Sequence, residues 1–278
     1  MVKTIAVVGL GLIGGSMAKA MKQYTDHTVY GLDTDEKILS AAKQSGAIDD
    51  VLTHETIGQC HMVIVALYPK QTIEFVKTHV DLFQKGAVIV DCAGTKTRVC
   101  ENLSLLAHEN GFYFIGGHPM AGTEKSGFDY SFPELFKGAS MIICEDKYTL
   151  PQIIDELKTV FISLGFGRLQ LTNAVKHDEI IAYTSQLPHV VSNAFVKSET
   201  VKKRDGFSAN SYKDLTRVAE LNENMWTELF LENSEPLAKE LDEFILRLNE
   251  YAVAIKEKDS SKLKRLLIEG TLAKKENG

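Results

Sequence analysis

Two short stretches hold most of the chemistry this chain can offer. In Gly116-Gly117-His118-Pro119-Met120-Ala121-Gly122-Thr123-Glu124-Lys125-Ser126-Gly127, one imidazole stands just past a strand-like run on a glycine-rich backbone. Glycine lets the main chain approach a ligand closely and imidazole titrates near neutrality, so His118 suits general acid–base work. In Asp214-Leu215-Thr216-Arg217 the i, i+3 spacing puts Asp214 and Arg217 on one helix face, where a guanidinium can clamp a carboxylate. Spacing alone is equally met by a plain surface ion pair. Between them, Thr184-Ser185-Gln186-Leu187-Pro188-His189 places a proline inside a helical pattern, where it should kink the helix and free a carbonyl beside polar groups.

A further stretch points to a cofactor. The apolar run Ile5-Ala6-Val7-Val8 enters Gly9-Leu10-Gly11-Leu12-Ile13-Gly14-Gly15-Ser16, and a second run, Thr28-Val29-Tyr30-Gly31-Leu32, stops at Asp33. This is the spacing of a dinucleotide-binding unit. Gly9 allows the strand-to-helix turn, Gly11 admits a pyrophosphate, and Gly14 lets helix and strand pack closely. The helix start at Leu12 and Ile13 then offers unpaired N–H groups and a partial positive charge to the phosphates. Asp33 suits the ribose hydroxyls, and a 2′-phosphate there meets like charge with no arginine in Thr34-Asp35-Glu36, so NAD is expected over NADP. The unit alone leaves FAD open.

The elements that must position these groups follow from the pattern. Strand and helix signals alternate to about Thr172, with strands expected at 62–67, 87–90, 112–115, 140–144 and 168–171 and helices at 36–44, 72–83, 99–109 and 151–164. That alternation predicts an α/β fold, an N-terminal Rossmann-type doubly wound and mostly parallel sheet over residues 1–172. From Asn173 the β-branched runs stop, and helices expected over 175–198, 212–221, 225–231, 236–257 and 261–273 predict an all-α C-terminal domain over 173–278. Thr172, Asn173, Ser234 and Ser260 are candidate caps. The long apolar stripes predict a homodimer through the helical domain.

Ligands of such sheets bind beyond the carboxyl ends of the strands. The loops to search are therefore Ala66-Leu67-Tyr68-Pro69-Lys70, which brings Leu67 to the cofactor, Asp91-Cys92-Ala93-Gly94-Thr95-Lys96, and the His118 stretch. His27, His54, His61, His79 and His108 flank helices or strands without ligand spacing, and no metal site is expected. Cys60, Cys92, Cys100 and Cys144 form no C-x-x-C pair and read as reduced structural thiols. With 278 residues, 44% hydrophobic and 24% charged, and a net charge of −6, the composition is that of a globular enzyme. No basic block suggests nucleic acid, and no apolar run approaches a membrane span. The first strand starts at once, so no signal peptide and a cytoplasmic location are expected.

The glycine segment, Gly117-His118-Pro119-Met120-Ala121-Gly122-Thr123-Glu124, Ser185-Gln186-Leu187-Pro188-His189, and Asp214-Leu215-Thr216-Arg217-Val218-Ala219 followed by Met225-Trp226 together resemble the prephenate dehydrogenase family over nearly the whole chain. The resemblance implies NAD-dependent oxidative decarboxylation of prephenate to 4-hydroxyphenylpyruvate on the route to tyrosine, or oxidation of arogenate directly to tyrosine. It implies that His118 accepts the proton of the substrate's ring hydroxyl and that Arg217 binds a substrate carboxylate. Ser185 and His189 would approach the substrate from the helical domain, Thr123 and Trp226 would shape the pocket, and Glu124 and Asp214 would form an ionic gate with Arg217. The chain departs from the family where Gly94 replaces a serine that holds the substrate hydroxyl and catalytic histidine, leaving Thr95 to substitute, and where Gln186 replaces a histidine. Competing readings are a β-hydroxyacid dehydrogenase, for which Lys176 and Lys197 lack motif context, and a non-catalytic NAD sensor.

Overall fold

The computed structural model describes residues 3–207 and 209–277. Its first half runs β1 (Thr4–Val8), α1 (Leu12–Tyr24), β2 (Thr28–Leu32), α2 (Glu36–Gln44), β3 (Asp50–Val51), α3 (His54–Ile57), β4 (Met62–Val65), α4 (Pro69–Thr78), β5 (Val88–Asp91), α5 (Thr97–Asn110), β6 (Tyr113–Pro119), β7 (Ser140–Cys144), α6 (Pro151–Ser163) and β8 (Arg168–Thr172). The strands form one sheet in the order β3-β2-β1-β4-β5-β6-β7-β8, parallel throughout except where β6 meets β7. The strand order reverses between β1 and β4, which opens the crevice where a doubly wound sheet takes its ligand.

Alternate strand residues serve opposite faces, and the central strands β1, β4 and β5 are buried on both sides, whereas the edge strand β8 is largely exposed. Ile5, Val7, Ile64 and Val90 pack with Met17, Met21, Leu157 and Phe161 on one face. Ala6, Val8, Val63, Val65 and Ile89 pack with Val76, Leu103 and Phe112 on the other.

The second half is helical: α7 (Ala174–Ile181), α8 (Leu187–Phe195), α9 (Asn210–Thr216), α10 (Glu223–Glu232), α11 (Ser234–Lys256) and α12 (Ser260–Asn277). Its own buried cluster is small, Ala182, Leu187 and Leu237 backed by Phe230, Leu241 and Phe244. Large apolar side chains, among them Leu246, Ile255 and Leu267, remain exposed on α11 and α12.

Several expectations need correction. His118 is not past a strand end: the ladder continues through Gly116, Gly117, His118 and Pro119, which pair with Cys144, Ile143, Ile142 and Met141 of β7. The antiparallel partner prolongs the strand beyond its apolar run. The helix expected over 175–198 divides at Ala182–Gln186, a π-helical turn that absorbs Pro188 at the start of α8. Asn173 caps α7 by accepting from Lys176 N, but α11 follows Asn233 rather than Ser234, and Asp259 rather than Ser260 accepts from Lys262 N. The helix expected over 212–221 ends at Thr216.

Candidate active site

The glycine turn is built within one βαβ unit. Gly9 sits at φ +85°, and a side chain there would strike Ala66 O and Leu67 Cδ2. A Cβ on Gly14 would lie 1.9 Å from Gly9 O, whereas one on Gly11 would meet nothing within 4 Å. Two glycines are thus required by packing, while the middle one faces open space of the kind a phosphate fills. α1 starts there with no side-chain cap, so its first N–H groups stay available. Asp33 Oδ2 accepts from Leu10 N at 2.8 Å and Oδ1 from Asp35 N at 3.0 Å, fixing the carboxylate at the end of β2. These features fit a dinucleotide.

Each loop from the sheet edge then meets the helical domain. After β4, Lys70 N donates to Glu228 Oε1 at 2.8 Å. After β5, Lys96 N and Thr97 N each donate to an Asp178 carboxylate oxygen at 2.8 Å. At β6, His118 Nδ1 lies 2.9 Å from His177 Nε2, and beyond it Glu124 Oε1 lies 3.3 Å from Arg217 Nη1. All three loops therefore meet the helical domain, where α7, α10 and the end of α9 form the opposing wall.

His118 is half-buried, and its pKa is held well below 6.5, chiefly by burial, then by His177 and Lys96 against the opposing pull of Asp178. It is neutral at neutral pH and free to accept a proton. Beneath it lies a fully buried ion pair, Lys96 with Asp91. Burial by itself would lower the Lys96 pKa, but Asp91 outweighs it and the net shift is upward. Asp91 also accepts from Gly117 N at 3.1 Å and Ala93 N at 2.9 Å, so the pair locks the backbone next to His118. Removing one partner of such a pair strands a buried charge, at a cost of about 3–5 kcal/mol.

From the helical side, His189 packs against Trp226 with ring centroids 4.1 Å apart and planes tilted by 30°, and its Nδ1 donates to Ser185 O at 2.7 Å. Burial lowers the His189 pKa, the Ser185 carbonyl opposes this, and Arg217 adds to the lowering. Ser185, His189 and Trp226 are thus brought together. Asp214 is exposed and Arg217 turns from it to Glu124, so the gate expected of three residues has two. Thr123 is exposed, its hydroxyl engaged by Lys125 N and O.

The two family departures have a local explanation. A Cβ on Gly94 would lie 3.2 Å from both Leu229 methyls, so a leucine of α10 fills the space over this loop. Thr95 does not supply the missing hydroxyl, because it is buried and donates to Glu232 Oε2 at 3.1 Å. Burial raises the Glu232 pKa, which Thr95 and Arg98 partly offset. Gln186 is buried, donates to Leu229 O at 3.0 Å and accepts from Asn233 Nδ2 at 2.7 Å, bracing α10 and α11 against the π turn. Lys176 and Lys197 make no side-chain contact with the His118 cluster among the described residues.

Sequence reasoning missed His177 and Asp178. The available signal was two polar residues on the buried stripe of α7 beside Ile181, since buried polar groups need partners.

A crevice that offers backbone to phosphates on one side and a neutral imidazole to a proton on the other defines an NAD-dependent dehydrogenase of two domains. The chain belongs to the prephenate dehydrogenase family. Residues 17–168 match the family model described as the prephenate dehydrogenase nucleotide-binding domain, and residues 173–269 match that of its dimerization domain. A cyclohexadienyl dehydrogenase of Zymomonas mobilis is 32% identical, covering 94% of this chain and 91% of its own length. A prephenate dehydrogenase of Lactococcus lactis is 30% identical, covering 96% of this chain and 75% of its own. Among solved structures, Synechocystis arogenate dehydrogenase is similar with a TM-score of 0.84 at 25% identity, covering 99% of this chain and 100% of its own. The Aquifex aeolicus prephenate dehydrogenase, in complex with hydroxyphenyl propionate and NAD+, also gives 0.84, at 26% identity with 100% and 99% covered. No helix among the described residues is long and apolar enough to cross a membrane.

Proposed function

We propose that the protein converts prephenate and NAD to 4-hydroxyphenylpyruvate, carbon dioxide and NADH. The observation that carries this reading is His118 itself: a neutral imidazole whose Nε2 has no partner among the described residues, at the end of β6 with the helical domain facing it. NAD, when bound, supplies the hydride acceptor. His118 Nε2 takes the proton of the ring hydroxyl as the same carbon gives up hydride; loss of carbon dioxide then leaves an aromatic phenolate, to which the proton returns. Aromatisation supplies the driving force, so the protein's tasks are to position, desolvate and deprotonate. Arg217 binds a substrate carboxylate by exchanging it for Glu124, and Ser185, His189, Thr123 and Trp226 line the substrate's side of the cleft.

Arogenate is the second reading, favoured by the likeness to the Synechocystis arogenate enzyme and to the cyclohexadienyl dehydrogenase. In this proposal residues 1–172 hold the cofactor, and 173–278 hold the substrate and a second copy of the chain. The dimerization-domain match and the exposed Leu246, Ile255 and Leu267 support the dimer. The test is the initial rate of NADH or NADPH formation with each substrate and each cofactor, alongside sedimentation of the protein. Turnover of prephenate with NAD by a dimer is expected. A preference for arogenate moves the pathway step, and no turnover of either overturns the reading.

A further inference from the structure

We infer that His177 and Asp178, from the first helix of the second domain, fix His118 in its Nδ1–H tautomer and share the positive charge it acquires. This rests on the proposed role of His118 as base. Burial opposes the charge on Asp178, but its bonds from His177 and Thr97 prevail and keep its pKa below the usual value, so it is a carboxylate and only accepts. His177 Nδ1 lies 2.7 Å from Asp178 Oδ1 and must therefore carry a proton. Burial holds His177 below 6.5 despite Asp178, so the ring is neutral and its Nε2 is an acceptor. His118 Nδ1, 2.9 Å away, must then be the donor, which leaves the lone pair of His118 on Nε2, facing the cleft.

Both nitrogens of an isolated imidazole compete for the proton, and only one tautomer presents a base to the substrate. The relay removes the wrong one. When the substrate O–H bond breaks and His118 Nε2–H forms, the Nδ1 proton is already aimed at His177 Nε2. Its transfer breaks His118 Nδ1–H, forms His177 Nε2–H and leaves an imidazolium against the Asp178 carboxylate. The charged groups around the two rings are Asp178, Lys96 and Asp91: Lys96 opposes a positive charge on either ring, Asp178 favours it on both, and Asp91 favours it on His177. The His177 side chain is fully buried and that of Asp178 is 4% exposed, so water does not compete for these bonds. Asp178 is anchored by the first turn of α5, and Asn233 Nδ2 holds its backbone carbonyl at 2.8 Å. His177 and Asp178 are thus positioning residues supplied across the domain interface.

The decisive measurement is the nitrogen NMR spectrum of histidine-labelled, NAD-saturated protein, with His118 assigned by loss of its signals in His118→Gln. A protonated Nδ1 and an unprotonated Nε2 are expected on His118 above its pKa, and the opposite tautomer overturns the proposal. This readout is independent of which substrate is turned over, so it stands or falls apart from the functional reading. Kinetics give the second arm. In Asp178→Asn the amide oxygen keeps the Oδ1 position, where Lys96 N and His177 Nδ1 both donate, so the tautomer is kept while the negative charge that would stabilise the imidazolium is lost. A fall in kcat of about 10²–10⁴, with KM for prephenate and NAD within about threefold, is expected. His177→Gln keeps an acceptor near His118 Nδ1 and should retain at least tenfold more kcat than His177→Leu, whose acid limb should also move to lower pH. Should Asp178→Asn not fold, the His177 pair and the wild-type spectrum still decide. Equal kcat and unmoved acid limbs in His177→Gln and His177→Leu would sink the relay.

Discussion

The two rims of the cleft are made of different materials. On the cofactor rim, Gly9, Gly11, Gly14 and Asp33 belong to the consecutive elements β1, α1 and β2, with Ala66 after β4 packed against them, and the contacts are mostly backbone. On the proton rim, His118 meets His177 across 59 positions and Glu124 meets Arg217 across 93, all through side chains. The first rim needs only the sheet, whereas the second exists only when the helical domain is docked against it. The surroundings of His118 therefore depend on the helical domain, and the glycine turn does not.

Replacing His118 is the sharpest way to separate the two rims. His118→Ala should lower kcat about 10²–10⁴-fold while the NAD dissociation constant, read by fluorescence titration, stays within about twofold. Parallel loss of both would mean that the rims are coupled. Arg217→Ala comes next, raising KM for prephenate about 10–100-fold with a smaller change in kcat, as loss of a charge-assisted hydrogen bond of about 1.5–3 kcal/mol requires. Within the cofactor rim, Gly14→Ala should destabilise the fold by about 1–3 kcal/mol in urea unfolding, because the new methyl collides with Gly9 O. Gly11→Ala should leave unfolding unchanged and weaken NAD instead.

A pH titration probes the proton rim without mutation. His118, His177 and His189 all lie below 6.5 in the folded chain, so the unfolded chain binds more protons as pH drops below that value. Their stabilisation is present above pH 6.5 and is lost on acidification, and the acid limb of kcat/KM should lie below 6.5. A limb above it would contradict the buried, neutral His118. The smallest effect belongs to Glu124→Gln. That pair is 62–66% exposed, so unfolding should not change, and KM for prephenate should fall slightly as Arg217 loses its competitor. A large rise in KM would make Glu124 a substrate ligand.

How much was legible follows the same division. The glycine turn, Asp33 and the alternating strands could be read directly, because backbone demands and burial on both faces are written into residues near one another in sequence. His118 was legible as a reactive group but not as a strand residue, since its antiparallel partner β7 lies more than twenty positions on. Asp214 was misjudged as a partner of Arg217 because helical spacing says which residues can meet, not which neighbour from another element competes. Thr95 was read as a substitute for the family's serine, and Gln186 only as a departure from its histidine; the structure gives their hydrogen bonds to Glu232, Leu229 and Asn233 instead.

By itself the sequence determined the dinucleotide unit and the α/β class of the fold, and it singled out His118 as the candidate base, for each of these depends on local spacing and residue type. Only the tertiary structure decided the base's surroundings. Which nitrogen of His118 carries the proton depends on a histidine and a carboxylate from another domain, and no local pattern encodes the meeting of side chains that distant strands and helices bring together.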